Sequence, residues 1–131
     1  MGYFHDEDVM KKRVLLAEDE ADLRKMMKIL LEIQGYDVIE AADGYEAVEK
    51  AVEEEPDLIL MDIAMPVMDG IDSTKTIRRH EELNGIPIVA VTAYGDFYSS
   101  RARNAGCADV LQKPIDFAQL KPIVERYLNN N

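Results

Sequence analysis

The 131-residue sequence contains a single cysteine, Cys107, and no tryptophan. One cysteine excludes an internal disulfide and any cysteine-rich zinc site, and a lone one ordinarily fills core space. No apolar run approaches the roughly 18 residues that read as a membrane span. The opening stretch Met1 to Lys12 has no signal-peptide apolar region. Gly2 follows Met1, but Asp6 stands where a myristoylation signal wants Ser or Thr, so no lipid anchor is expected. Cations are the scarce charge: 15 Lys and Arg against 26 Asp and Glu leave a net charge of −11. That balance repels nucleic-acid phosphates and argues against direct nucleic-acid binding. His5 and His80 stand without a ligand constellation and read as surface residues. These absences lead to the expectation of a cytoplasmic protein with neither a membrane nor a nucleic-acid partner.

What is present suits one folded unit, since 47% hydrophobic residues in a chain of this length can bury one substantial core. Apolar runs of strand length alternate five times with helix-period stretches, without repeats or low-complexity linkers. Strands are expected at Arg13 to Ala17, Asp37 to Ala41, Asp57 to Met61, Ile86 to Val91 and Ala108 to Gln112. Helices are expected near Glu20 to Gln34, Gly44 to Glu54, Ile71 to Leu83, Asp96 to Ala105 and Asp116 to Leu128. Runs such as Leu58-Ile59-Leu60-Met61 and Ile88-Val89-Ala90-Val91 are continuously apolar, as in parallel strands covered on both faces. Gly35 and Gly106 look like helix stops, and Asp43 and Asp116 like N-caps. The reading is an α/β fold, a doubly wound (βα)5 five-stranded parallel sheet of strand order 2-1-3-4-5, flavodoxin-like in its winding.

In open parallel sheets the chemistry lies beyond the carboxyl ends of the strands. Strand one runs into Glu18-Asp19, strand three into Asp62, strand four into Thr92 and strand five into Lys113, whereas strand two ends in Ala41-Ala42. In the order 2-1-3-4-5 the four polar ends are neighbours and share one cleft. Three carboxylates crowded there need a cation or a proton. Oxygen-only ligands without His or Cys select a hard ion, and Mg²⁺ binds through one or two carboxylates while accepting a phosphate oxygen. Asp62 can then act as a nucleophile toward phosphorus, with Lys113 pairing a phosphoryl oxygen and Thr92 donating a hydroxyl hydrogen bond to another. Taken singly, Asp19 could cap the first helix, Asp62 could bound a turn, Thr92 could be a strand terminus and Lys113 a surface residue. Independent caps would have no reason to fall at four adjacent strand ends with complementary charges.

The motifs Val14-Leu15-Leu16-Ala17-Glu18-Asp19, Leu60-Met61-Asp62-Ile63-Ala64-Met65-Pro66-Val67-Met68-Asp69-Gly70, Val91-Thr92-Ala93 and Lys113-Pro114, in this order and spacing, resemble the receiver domain of two-component response regulators. The resemblance runs from about Lys12 to Tyr127. Residues 1–11 are then an N-terminal extension, expected to be disordered or in part a cloning remnant, and residues 12–131 the receiver domain. It implies that Asp62 is the phosphoacceptor, that Thr92 and Lys113 are the other catalytic residues, and that Glu18, Asp19, Asp62 and the backbone carbonyl of Ala64 organise Mg²⁺ (or Mn²⁺). It also implies a cis peptide between Lys113 and Pro114. The implied donor is a phosphohistidine on a sensor histidine kinase or a histidine phosphotransfer protein, and the implied role is a phosphorylation-driven switch acting on a downstream protein. Such a protein is not a conventional enzyme, although it promotes its own phosphorylation and dephosphorylation. The chain would be a stand-alone receiver or one cut from a larger regulator or hybrid kinase.

Val110 stands where many relatives carry an aromatic residue that reports phosphorylation, so coupling is expected instead through Thr92 and the surface of Tyr94, Phe97 and Tyr98. Ala64 and Tyr94 occupy positions that in relatives influence water attack on the phosphorylated form. The apolar residues of the first helix, Leu23, Met26, Met27, Ile29, Leu30, Leu31 and Ile33, fill an arc of about 200°, wider than a buried stripe requires. That excess reads as a partner site or as a helix pinned unusually deeply. Two rivals fall away. A haloacid-dehalogenase-type phosphatase would place an aspartate two residues beyond the nucleophile, where Ala64 stands. A flavodoxin-like ligand site would be repelled by Glu18-Asp19-Glu20.

Overall fold

Continuous apolar runs and helix-period stretches fold as five parallel strands linked by helical crossovers in the computed structural model, which describes residues 11–93 and 96–129. The elements are β1 (Arg13–Ala17), α1 (Ala21–Ile33), β2 (Asp37–Ala41), α2 (Gly44–Glu54), β3 (Leu58–Asp62), α3 (Gly70–Arg78), a 3-10 turn (Glu81–Leu83), β4 (Ile88–Thr92), α4 (Asp96–Ala105), β5 (Asp109–Gln112) and α5 (Phe117–Leu128). The sheet order is β2-β1-β3-β4-β5, as expected, and every neighbouring pair is parallel.

Side chains alternate across a strand, so each central strand feeds two cores. Leu15, Ala17, Ile59, Met61, Ile88 and Ala90 pack with Ala47, Ala51, Ile71, Ile77 and Ala102 under α2, α3 and α4. Val14, Leu16, Leu58, Leu60, Val89 and Val91 pack with Met27, Leu31, Leu120, Ile123 and Val124 under α1 and α5. Residues of both parities are therefore apolar in β1, β3 and β4, which produces the unbroken runs. β2 is half-exposed along most of its length, as an edge strand should be.

The caps follow the chemistry of the short carboxylates. Asp43, Asp69 and Asp116 each accept a backbone N–H three residues on, from Glu46, Asp72 and Gln119. At Asp116 the Gln119 side chain returns the bond and completes a capping box. Gly35 and Gly106 close α1 and α4 with φ of 95° and 121°, where L side chains are strained.

Several boundaries differ from expectation, most by a single residue. α3 stops at Arg78 rather than running to Leu83, because the Arg78 guanidinium bonds the carbonyls of Leu83 (3.0 Å), Ile86 (2.8 Å) and Gly106 (3.1 Å), which fold back around it. β4 begins at Ile88 rather than Ile86, because Pro87 has no N–H to donate to the ladder. β3 is displaced by one residue and ends on Asp62 itself. Between β3 and α3 the chain makes a tight three-residue turn in which Met68 N–H donates to Pro66 O at 2.7 Å, with Val67 in the left-handed region at φ 69°.

α2 and this β3–α3 loop touch at Gly44, the first residue of α2. A β-carbon there would land on the Met68 carbonyl oxygen and on Ser73 Oγ, which itself donates to Gly44 O at 2.9 Å. Gly44→Ala is therefore expected to lower stability by about 2–3 kcal/mol through overpacking against backbone, read as a lower midpoint in urea with an unchanged slope.

Candidate functional site

Register brings the polar strand ends together. β1 lies between β2 and β3, so Glu18, the residue after Ala17, rises beside Asp62 at the end of β3. Thr92 ends β4 on the other side of β3, and Lys113 follows β5. Glu18, Asp62 and Thr92 are buried, Asp19 is exposed, and Lys113 is half-buried.

Each carboxylate is aimed by backbone. Glu18 donates its own N–H to Ala41 O at 3.0 Å. Its Oε2 accepts from Glu20 N–H at 3.0 Å, and its carbonyl accepts from Arg24 Nη1 at 2.7 Å. Asp62 Oδ1 accepts from Ala64 N–H at 3.1 Å. Gly70 passes directly behind Asp62: a β-carbon there would strike the Asp62 carbonyl, with Ile63 Cα at 2.9 Å. Asp19 does not cap α1, whose N-cap is Glu20 without a side-chain bond.

Carboxylate oxygens of Glu18, Asp19 and Asp62 all lie within 4.8 Å of one another. Lys113 Nζ sits 3.4 Å from Asp62 Oδ2 and 3.2 Å from Glu18 Oε1. Glu18 Oε1 is buried and, beyond this ion pair, has no hydrogen bond among the described residues. Burial, reinforced by the neighbouring Asp62 charge, pushes the Glu18 carboxyl up to about 7 from its ordinary 4.5. Burial alone would lower the Lys113 ammonium, but the charges of Asp62 and Glu18 outweigh it and raise its pKa. An orphaned buried oxygen and three converging carboxylates fit a hard divalent cation of the Mg²⁺ type. Lys113 N–H donates to Thr92 O at 2.8 Å, and the Lys113–Pro114 peptide is cis, which turns the chain into α5.

The residues read from sequence as a switch surface are less unified. Tyr94 lies outside the described residues, as do residues 1–10 of the N-terminal extension. Val110 is half-buried and packs on the core beneath α2, α3 and α4. Tyr98 packs on that core too and meets Phe97 edge-to-face at 4.8 Å and 78°, with the Arg101 guanidinium 5.5 Å over its ring. Phe97 itself is 73% exposed. Ala64 is exposed at the mouth of the cleft. Sequence reasoning missed Gly70 and Arg24 as positioning residues. The pair Asp69-Gly70 carried the turn signal, but nothing local told that the glycine backs onto Asp62.

Comparison with known proteins identifies the relatives of this arrangement. The response regulator receiver domain family matches residues 14–125. The polar-differentiation response regulator DivK of Brucella ovis is 39% identical over 124 residues, which cover 92% of this chain and 99% of that protein. The receiver domain of sensor histidine kinase PA1611 from Pseudomonas aeruginosa PAO1, crystallised with a magnesium ion coordinated in its active-site cleft, superposes with a TM-score of 0.84 at 35% identity, over 92% of this chain and 100% of that one. The co-crystal structure of the Saccharomyces cerevisiae histidine phosphotransfer protein Ypd1 with the receiver domain of Ssk1 matches with a TM-score of 0.83 at 30% identity, over 89% of this chain and 88% of that one.

The raised Glu18 carboxyl gives a pH signature. Between about 4.5 and about 7 the folded protein holds a proton on Glu18 that the unfolded chain has released. Stability in chelator should therefore fall as pH rises through that window. Mg²⁺ should raise Tm more on the alkaline side of the window than on the acid side, because it binds the deprotonated cluster. Thermal melts of the wild type and Glu18→Gln, with EDTA and with Mg²⁺, check both statements; a slope that survives in Glu18→Gln would assign it to another group.

Proposed function

The chain belongs to the response regulator receiver domain family, the receiving side of two-component signalling, and on that footing we propose that Asp62 accepts a phosphoryl group from a phosphohistidine in a reaction dependent on Mg²⁺ (or Mn²⁺). The observation that carries the reading is the Lys113 ammonium, whose Nζ is held 3.4 Å from Asp62 Oδ2 in a cleft where three carboxylates converge. Asp62 is aimed from below by the Ala64 N–H on Oδ1 and by Gly70 at its back, so Oδ2 is the oxygen left to attack. A lone pair on that oxygen forms the new P–O bond, the P–N bond to the donor imidazole breaks, and its electron pair and a proton remain with the imidazole. Lys113 then pairs with a phosphoryl oxygen, and the Thr92 hydroxyl donates to another. Glu18, Asp19, Asp62 and the Ala64 carbonyl would hold the cation, which supplies neutralisation of the charge that builds on the phosphoryl oxygens. The domain thereby promotes its own phosphorylation and dephosphorylation without acting as a conventional enzyme.

The partners that follow are a sensor histidine kinase or histidine phosphotransfer protein as donor and a downstream protein as target. The resemblance to the Ypd1–Ssk1 pair supports the donor class. The exposed Phe97 beside Tyr98, close after Thr92 along the chain, suits a target-facing surface that changes with the phosphoryl group.

Incubation with acetyl phosphate and Mg²⁺ followed by intact mass is expected to show a gain of one phosphoryl group, lost when EDTA replaces Mg²⁺ and absent from Asp62→Ala. A gain that persists in Asp62→Ala would overturn the assignment. Ala64 has no side-chain group to hold a water near the phosphoryl group. Ala64→Asn is accordingly expected to lose its phosphoryl group several-fold faster than the wild type, followed by the decay of the phosphorylated mass after donor removal; equal rates would refute this.

A further inference from the structure

Glu18 has a backbone N–H, a carbonyl and two carboxylate oxygens, and the fold engages all but one of them. Its N–H donates to Ala41 O at 3.0 Å, its Oε2 accepts from Glu20 N–H at 3.0 Å, and its carbonyl accepts from Arg24 Nη1 at 2.7 Å. Oε1 is left to face the cleft, 3.2 Å from Lys113 Nζ. The anchors at Ala41 and Glu20 are backbone groups, whose positions follow from the edge strand and the start of α1. Among the bonds described, Arg24 is the one side chain that holds the Glu18 backbone.

Local sequence puts that side chain within reach. Arg24 lies in the first turn of α1, and its own N–H donates to Glu20 O at 2.9 Å. Side chains on a helix lean toward its amino end, so a long one at this position passes the helix start and arrives at the Glu18 carbonyl. The guanidinium is also fixed from a second direction. Its Nε donates to Glu40 Oε1 at 3.2 Å, while Lys28 Nζ takes the other oxygen, Oε2, at 3.2 Å. Glu40 precedes Ala41 on the edge strand β2. Two successive residues of β2 therefore act on Glu18, Ala41 directly and Glu40 through Arg24. The planar fork suits this task, because Nη1 and Nε serve two acceptors in fixed directions, whereas lysine offers one point charge on a flexible stem.

We propose that Arg24 is a positioning residue for the cation site: by holding the Glu18 carbonyl against β2 it keeps the carboxylate where it can share a divalent ion with Asp19 and Asp62. This role rests on the cluster being a Mg²⁺ site. Charge and position pull in opposite directions here. Arg24 places a positive charge beside the cluster, so on Coulomb grounds alone its removal would tighten Mg²⁺ binding. Loss of the anchor loosens it.

The test titrates magnesium chloride into the full chain, isotopically labelled at nitrogen, and follows the Ala64 and Lys113 amide resonances. Arg24→Met keeps an unbranched apolar stem and removes every donor. It is expected to weaken Mg²⁺ binding by about tenfold, the scale on which losing the hydrogen-bond partner of a metal ligand acts. Arg78→Met is the control. It removes an arginine that likewise bonds backbone carbonyls, those of Leu83, Ile86 and Gly106, at the opposite end of the sheet. It should lower the midpoint in urea and leave Mg²⁺ affinity at the wild-type value. Unchanged or tighter binding in Arg24→Met would overturn the proposal, and so would an equal loss in Arg78→Met, which makes the effect a general loosening. Should Arg24→Met not fold, Arg24→Lys takes its place. Its ammonium is expected to stay with the Glu40 carboxylate and release the Glu18 carbonyl, so binding weakens there too, and wild-type affinity in that variant overturns the proposal. A wild type whose cleft amides do not respond to Mg²⁺ would sink the metal reading itself, and this role with it.

Discussion

Mutual repulsion of carboxylates in one buried cleft is the constraint around which the rest is arranged. Glu18 and Asp62 are both withdrawn from water at adjacent strand ends, and among the described residues only the Lys113 ammonium pairs with both. Burying one charge without compensation costs several kcal/mol, and two like charges raise that cost. The neighbouring backbone is organised to bear it. Glu20 and Ala64 give N–H groups to the two carboxylates, and Arg24 holds the Glu18 carbonyl. Gly70 allows the β3–α3 loop to lie flat behind Asp62. Even so, the Glu18 oxygen nearest Lys113 has no hydrogen bond. Three carboxylates converging beside one ammonium form a cluster that could hold a metal ion.

How much of this was legible depended on whether the signal was local. Parallel strands buried on both faces produce unbroken apolar runs, so β1 and β2 are found at their expected limits and the other three strands within two residues of theirs. Polar residues at strand ends stand out against those runs, which is why Glu18, Asp62, Thr92 and Lys113 could be picked out without coordinates. Features made by distant contact were not legible. Arg78 ends α3 by binding carbonyls up to 28 residues away, a use of arginine that helix periodicity cannot foresee. Gly44 and Gly70 are required by backbones that approach from elsewhere, and in sequence each looks like an ordinary turn or helix-start glycine. Glu55 and Val67 take left-handed conformations at φ 45° and 69° where glycine or asparagine would be expected.

The scarcity of cations sharpens their placement. Arg24 and Lys28 share Glu40 at the edge of the sheet. Lys113 serves the cleft. Arg78 binds only backbone carbonyls among the bonds described, and although burial lowers its pKa, guanidinium is so weak an acid that it stays charged. Its role is to fasten the end of α3 and the start of β4 to Gly106, the residue that closes α4. Asp109 adds a second fastening nearby. It pairs with Arg103 of α4 at 3.7 Å and with Arg126 of α5 at 2.9 Å, and it accepts from Tyr127 Oη at 3.1 Å.

These fastenings converge on the carboxyl end of α4. Its carboxyl end is tied through Gly106 to Arg78, through Arg103 to Ala108 and Asp109, and through the buried Ala102 and Ala105 to the core. Its amino end follows Thr92 after three residues and carries Phe97 into solvent. Val110 cannot swing as an aromatic ring would, because a valine side chain is short and stiff at χ1. Along the chain, the first turn of α4 is the helical element nearest after Thr92. In that first turn Tyr98 packs on the core, and Phe97 is the side chain turned to solvent.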